Sequence, residues 1–147
     1  MSHTQPIPHA DPASLPESMA WEIISTYSRA EALDDGLLID VTRQAAEAGF
    51  KIPVAVTRAA WADCVEWTEE DNTHLAFQDQ SGRLWDVLWM AVNAAKRDRD
   101  ADRITFQVFR VPRDRSSVAP IGVSLEMSIG PGDTLAPVIT IGFASDF

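Results

Sequence analysis

The sequence contains one cysteine, Cys64, and one tyrosine among its 147 residues. A single cysteine excludes an internal disulfide and a cysteine-based zinc cluster, so the fold depends on its hydrophobic core. No apolar run approaches the roughly 18 residues that a membrane-spanning helix needs, and the first residues lack the charged-then-apolar pattern of a signal peptide. We therefore expect a cytoplasmic protein that does not contact a membrane.

Basic side chains are scarce in the first part of the chain. The net charge is −10, and residues 1–90 carry fifteen acidic and five basic side chains, whereas residues 91–147 carry seven of each. An acidic surface repels nucleic acid and attracts basic protein surfaces, including those that bind DNA. The pattern predicts no direct contact with nucleic acid and a basic protein surface as partner. The alternative is that the acidic excess only keeps the protein soluble.

The spacing of proline predicts two parts. Residues 1–16 contain four prolines, which predict a mobile tail. Residues 17–147 are long enough for one domain with its own core. The first helix is expected over residues 16–33, followed by a short strand or extended piece over residues 37–41.

Capping residues and apolar periodicity predict further helices. Thr42 precedes a brief helix that Gly49 ends, and Thr57 precedes a helix through residue 66. Thr68 is a third N-cap, but whether residues 69–78 complete a helix stays open. The strongest helical pattern covers residues 83–96, where one apolar face includes Leu84 and Leu88. Trp85 and Trp89 are expected to stack on its flank and to be buried.

The last third of the chain alternates apolar and polar residues. Residues 104–111, 121–129 and 137–143 each predict a strand, and the sequence GPGD at residues 130–133 predicts the turn between the last two. Helices followed by strands are typical of the α+β class. We predict N-terminal helices packed on a C-terminal three-stranded antiparallel meander, with residues 53–56 extended outside it.

Few residues carry a pattern typical of catalysis. Cys64 shares a helical face with apolar residues, which favours a buried, inert thiol. Asp34 and Asp35 fit either a helix end or a pair of catalytic carboxylates, and Asp40 lies within an apolar strand, where burial and hydrogen bonds from the next helix start are expected. We assign no catalytic residue, no cofactor-binding residue and no metal ligand.

An acidic cluster surrounds one tryptophan. Its members are Glu66, Glu69, Glu70 and Asp71, and Trp67 lies among them. The cluster lacks the alternating spacing of a calcium loop. Trp67 is either an exposed anchor for a protein partner or a hydrophobic staple at the helix entry, and both interpretations stay open. These five residues are the predicted partner-binding site.

Several blocks of sequence resemble a known group of proteins. They are YSRAEALDDGLLIDV at residues 27–41, IPVAVT at 52–57, WADC at 61–64, GRLWDVLWMA at 82–91, RVPRD at 110–114 and GPGD at 130–133. Together they resemble a domain family of unknown function, labelled "plasmid-related protein", from proteobacterial plasmids and integrative elements. The resemblance implies a mobile-element accessory protein and no particular activity.

Charge and resemblance together support one leading hypothesis. The protein is expected to be a non-enzymatic acidic binding protein that inhibits a host nuclease-type defence system, either restriction or CRISPR. One alternative is a small enzyme that uses Asp34, Asp35 and Asp40. Another is a regulatory partner of plasmid-maintenance factors.

Overall fold

The computed structural model describes residues 28–147, which form five helices and five strands. The helices are α1 (Arg29–Asp34), α2 (Thr42–Ala48), α3 (Arg58–Cys64), α4 (Glu69–His74) and α5 (Gln80–Arg97). The strands are β1 (Leu38–Asp40), β2 (Val54–Thr57), β3 (Arg103–Arg110), β4 (Ile121–Pro131) and β5 (Pro137–Gly142), and a 3-10 turn spans Ala144–Asp146. The predicted tail, residues 1–16, and residues 17–27 of the predicted first helix lie outside the described residues.

All five strands form one mixed sheet in the order β1-β2-β5-β4-β3. β2 and β5 are parallel and the other neighbours are antiparallel. The predicted three-stranded meander is therefore wrong, although the α+β class holds. β2 is buried along its whole length and places Val54 opposite Ile139. Because β5 lies in the middle of the sheet, its second edge needs a partner, which β2 supplies.

The two faces of the sheet differ in what covers them. Helices α2, α3 and α5 pack on one face, and the main core between them includes Leu88, Leu125 and Ile141, all fully buried. On the opposite face α1 packs on a small apolar cluster that contains Ala32 and Leu38. The rest of that face carries the polar side chains of β3 and β4, so the sheet has one buried and one largely polar face.

Some helix ends follow the predictions and others do not. Thr57 accepts a hydrogen bond from the Ala60 amide and caps α3 as predicted. α2 covers the expected residues and ends at Gly49, whose φ of 121° suits glycine. Its N-cap, however, is Val41. The Thr42 hydroxyl instead donates to the Asp40 carboxylate at 2.5 Å, which ties β1 to the start of α2.

The open question about α4 has a clear outcome. Thr68 and Asp71 form a capping box, and residues 69–74 are helical. At the start of the described chain, Ser28 is an extended N-cap that accepts from the Glu31 amide. A continuous helix over residues 16–33 is therefore wrong, because α1 begins at Arg29 with Ser28 as its N-cap.

The rotation of α5 about its axis differs from the prediction. Leu84 and Leu88 are buried as expected, but Trp85 and Trp89 are 41% and 47% exposed. The buried stripe of α5 also includes Arg83 and Val87, and this turns both tryptophans away from the sheet. Their rings stack at 5.9 Å between centroids, so the predicted stacking is confirmed and the predicted burial is wrong.

Arg83 is a charged side chain within the core, with only 3% of its surface exposed. Its guanidinium donates to the backbone carbonyl oxygens of Asp63 (3.0 Å), Val65 (3.2 Å) and Val111 (3.0 Å), and to Gln78 Oε1 (3.0 Å). Burial lowers the pKa of Arg83 from its usual value. These hydrogen bonds hold the end of α3, the start of α5 and the segment after β3 together.

Replacement of Arg83 should destabilise the fold strongly. Arg83→Met leaves several carbonyl oxygens without donors, and we expect a loss on the order of 3–5 kcal/mol in the free energy of unfolding. Arg83→Lys should also destabilise, because an ammonium group cannot reproduce the planar fork of donors. Urea denaturation measures both. Arg97→Met, at an exposed position of the same helix, is the control, with an expected change within about 0.5 kcal/mol. Equal midpoints for Arg83→Met and Arg97→Met would contradict this role.

The turn between β4 and β5 holds α1 on the sheet. Asp133 accepts hydrogen bonds from the amides of Arg29 (2.5 Å) and Ala30 (3.0 Å), which are the first two residues of α1. These bonds from the amides of Ala30 and Arg29 lower the pKa of Asp133 from its usual value. The turn covers residues 132–136, two residues later than predicted, because Gly130 and Pro131 still pair with β5. Through Asp133 it also supplies an anion to a helix N-terminus.

Loss of the Asp133 carboxylate should loosen α1 without unfolding the sheet. Asp133→Ala is expected to speed amide hydrogen exchange in residues 30–33. In the wild type the protection of these amides, relative to the intrinsic exchange rate at each pH, should fall as the pH falls through the lowered pKa, because protonation removes the stabilising charge. Asp114→Ala is the control, since the hydrogen bonds to the Asp114 carboxylate come from its own loop, chiefly from Ser116. Unchanged exchange in α1 for Asp133→Ala would show that the turn does not hold the helix.

Candidate functional site

A polar cleft of about 300 Å³ lies between α1, the β4–β5 turn and the C-terminal residues. Its polar side chains are bonded to one another. Arg29 donates to Thr140 Oγ1 (2.8 Å) and to the Ile139 carbonyl (2.7 Å), and Asp146 accepts from the Thr57 hydroxyl (2.7 Å). These contacts join α1, β2 and the C-terminal turn to β5. The polar groups that line the cleft therefore have a structural role, since they bond to one another and hold these elements together.

A second depression, the aromatic groove, lies on the helical layer between α2, α3 and the start of α5. It has a volume of about 220 Å³ and is lined by Gln44, Glu47, Trp61, Gln80, Ser81, Leu84 and Trp85. The stack of Trp85 on Trp89 extends its aromatic surface along α5. Glu47 is the only charged side chain among the seven, so the groove combines aromatic rings with a negative charge.

This combination suits one kind of ligand. Arginine and lysine side chains bind over tryptophan faces and pair with nearby carboxylates. Solvent-exposed tryptophans also dominate the binding energy of many protein interfaces. The aromatic groove therefore combines tryptophan rings with one carboxylate, the two features that favour contact with a cationic side chain.

The predicted acidic cluster is partly neutralised within the fold. Arg113 lies between Glu66 (3.3 Å) and Asp71 (2.8 Å), and Arg115 lies 3.8 Å from Glu70. Although burial acts against ionisation of Asp71, hydrogen bonds from Thr68 and Arg113 outweigh it and lower the Asp71 pKa. Glu69 and Glu70 stay exposed and belong to the acidic surface of the domain.

The structure turns Trp67 inwards, away from this acidic surface. Its side chain is 7% exposed, its ring lies 4.4 Å from the Arg83 guanidinium carbon, and its indole N–H donates to Asn72 Oδ1 at 2.8 Å. Of the two interpretations of Trp67, the structure supports an interior packing role. An exposed aromatic beside an acidic residue, Trp85 with Glu47, is found instead in the aromatic groove.

Comparison with known proteins identifies the family but not the activity. The profile of a family of unknown function (DUF6573) matches residues 18–146. The chain belongs to this family. No curated protein and no solved structure matches the chain. Membership of DUF6573 carries no statement about plasmid origin, so the resemblance to plasmid-related proteins stays a prediction.

The carboxylates considered for catalysis in this DUF6573 member lie outside both depressions. Asp34 and Asp35 are exposed at the end of α1, and Asp40 is exposed on the edge strand β1. Asp40 accepts from the amide and hydroxyl of Thr42, as expected for a residue before a helix, but its expected burial is wrong. The structure does not bring the three together around a cavity.

Two kinds of site are absent from residues 28–147. In that part of the chain, no group of three or more His, Cys, Asp or Glu side chains is arranged to hold a metal ion. Over the same residues, no helix is long and apolar enough to cross a membrane.

The sequence did not predict the aromatic groove, because Trp85 and Trp89 were expected to be buried. The predicted apolar face contained Leu84 and Leu88 with both tryptophans on its flank, and it did not include Arg83. The helical spacing of Arg83, Val87 and Leu88 indicates a buried stripe on α5 that contains neither tryptophan.

Cys64 is a buried residue of the core, as predicted. Burial is the main cause that raises the pKa of its thiol to about 11, and the nearby Asp63 carboxylate acts in the same direction. Thiols react as thiolates, so a high pKa makes this group unreactive at neutral pH.

Two measurements test this environment. Alkylation of the native thiol at pH 8 should be far slower than that of a model thiol, since about one thiol in a thousand is then ionised. Because the folded pKa lies above the unfolded value, the unfolded state releases the proton first, and stability should fall as the pH rises from about 9 to about 11. Cys64→Ala should fold and should lack this part of the alkaline loss. Rapid alkylation of native protein would contradict an inert thiol.

Proposed function

We propose that this domain is a non-enzymatic binding protein that engages a basic partner protein through the aromatic groove. The observation that carries the proposal is the exposure of the stacked pair Trp85 and Trp89, of which Trp85 lines the groove together with Glu47. Exposure of two large aromatic rings at one place is unfavourable in water, and such patches commonly mark interaction sites. The rings supply contact area, and Glu47 favours a cation.

The charge of the chain supports the same kind of partner. A net charge of −10 attracts basic surfaces over a distance comparable to the Debye length and speeds encounter. The exposed acids of α4, Glu69 and Glu70, contribute to this field. In the proposal the acidic surface raises the association rate, whereas Trp85 and Trp89 lower the dissociation rate.

The resemblance to plasmid-related proteins points to the partner to test first. A mobile element benefits from blocking host defence, and nucleases of restriction or CRISPR systems carry basic surfaces where they hold DNA. We propose such a DNA-binding surface as the target. An acidic protein that presents two aromatic anchors would compete with DNA for it.

A peptide titration tests the groove without a known partner. The probe is a short arginine-rich peptide, and its control carries citrulline, the neutral analogue of arginine, at the same positions. Binding is followed by tryptophan fluorescence and calorimetry at low and high ionic strength. The arginine peptide should bind and weaken with salt, and the citrulline peptide should bind at least about tenfold more weakly.

Variants separate the groove from the general acidic field. Trp85→Ala and Trp89→Ala should each weaken peptide binding by about tenfold or more, equivalent to about 1.4 kcal/mol. Phe77→Ala is the matched control, because Phe77 is 87% exposed and lies outside the groove. Glu47→Lys should weaken binding more than Asp34→Lys, which removes an exposed acid outside the groove.

The acidic surface of α4 is tested separately. Reversal of Glu69 and Glu70 to lysine should slow association and reduce its salt dependence, with little change in dissociation. Asp71 is left intact because it caps α4 and pairs with Arg113.

Equal binding by the wild type and both tryptophan variants would show that the groove is not the site.

A further inference from the structure

β3 is the last strand of the sheet, and one of its edges faces away from β4. The Ile129 amide donates to the Asp102 carbonyl at 2.8 Å, and these two residues continue the β3–β4 register directly opposite each other. In an antiparallel pair, hydrogen-bonded positions alternate. Residues 104, 106, 108 and 110 therefore bond to β4, and the backbone groups of residues 103, 105, 107 and 109 point to the free edge.

This edge is long, regular and unprotected within the described chain. No hydrogen bond from residues 28–147 reaches the outward amides and carbonyls of these four residues. The pairing with β4 runs over all eight residues of β3 without a bulge or a proline. Natural proteins normally blunt such edges with bulges, proline or inward charges, because an open edge pairs with another strand. Phe109, at one end, is 62% exposed.

We propose that β3 pairs with β3 of a second copy of this chain, antiparallel about a two-fold axis at Phe106. The two five-stranded sheets then form one continuous sheet of ten strands. In this register Arg103 faces the partner's Phe109, and Thr105 faces the partner's Gln107. All eight outward backbone groups of each strand are then hydrogen-bonded to the other copy.

The chemistry of the edge is complementary to itself. Two polar side chains opposite each other are a favourable cross-strand pair, and Arg103, whose charge is already paired with Glu126 in its own chain, meets an apolar ring and no second cation. The register places no two like charges directly opposite each other, because Arg103 meets Phe109 and Arg110 lies on the other face. It also uses every outward hydrogen-bonding group, whereas a shift by two residues leaves some unpaired. A second copy is therefore the occupant that this edge fits.

The oligomeric state and one edge variant test the proposal. Sedimentation over a range of concentrations should show a monomer–dimer equilibrium. Gln107→Pro should raise the dissociation constant at least about a hundredfold, because it removes an outward amide and leaves the bonds to β4 intact. Gln107→Ala is the control and should retain most of the dimer, and circular dichroism should show both variants folded. A wild-type monomer at all concentrations, or a dimer that Gln107→Pro does not weaken, would overturn the proposal.

A cysteine pair tests the register. Thr105→Cys and Gln107→Cys are made in separate chains, with Cys64 buried and left in place. Under oxidation the mixture of the two variants should form a covalent dimer, because directly opposite residues are about 5.5 Å apart at Cα, within disulfide range. Each variant alone should form much less. A covalent dimer from Thr105→Cys alone, or from Gln107→Cys alone, would place the axis elsewhere and overturn this register.

Discussion

The buried guanidinium of Arg83 determines how the helical layer sits on the sheet. An arginine can enter a core only where carbonyl oxygens surround it, and Asp63, Val65 and Val111 supply them at about 3 Å. This requirement fixes the rotation of α5, since Arg83 must face inwards. Trp85 and Trp89, two and six residues later, are then directed outwards. The groove on the surface is thus a consequence of a polar contact in the interior.

Local structure was largely predictable from the residues themselves. Thr57 and Gly49 mark helix ends through their own side-chain and backbone chemistry, and the alternation in residues 121–129 identifies β4 directly. The place of β2 beside β5 was not predictable in this way. Residues 54–57 and 137–142 carry no signal of their pairing, because it depends on which buried strand lacks a neighbour in the finished sheet.

The candidate site shows the same limit more strongly. Trp67 is adjacent to acidic residues along the chain, which made it the predicted anchor, yet hydrogen bonding to Asn72 and contact with Arg83 hold it inside. Trp85 and Glu47 are far apart in sequence and line one groove because α2 packs beside α5. A sequence pattern reports neighbours along the chain, whereas this site is formed by neighbours in space.

The parallel pairing of β2 with β5 has a consequence for how the chain reaches its native state. Of the five strands in the described part of the chain, β5 comes last in sequence, and it is the central strand of the sheet. Until it is present, the antiparallel pair β1–β2 and the antiparallel pair β3–β4 have no contact through the sheet. Pairings between distant segments cost loop-closure entropy before they stabilise anything, which slows folding. During synthesis, each of the two strand pairs therefore has an unpaired edge until β5 is present. The sheet closes in a late step, when residues 137–142 insert between β2 and β4.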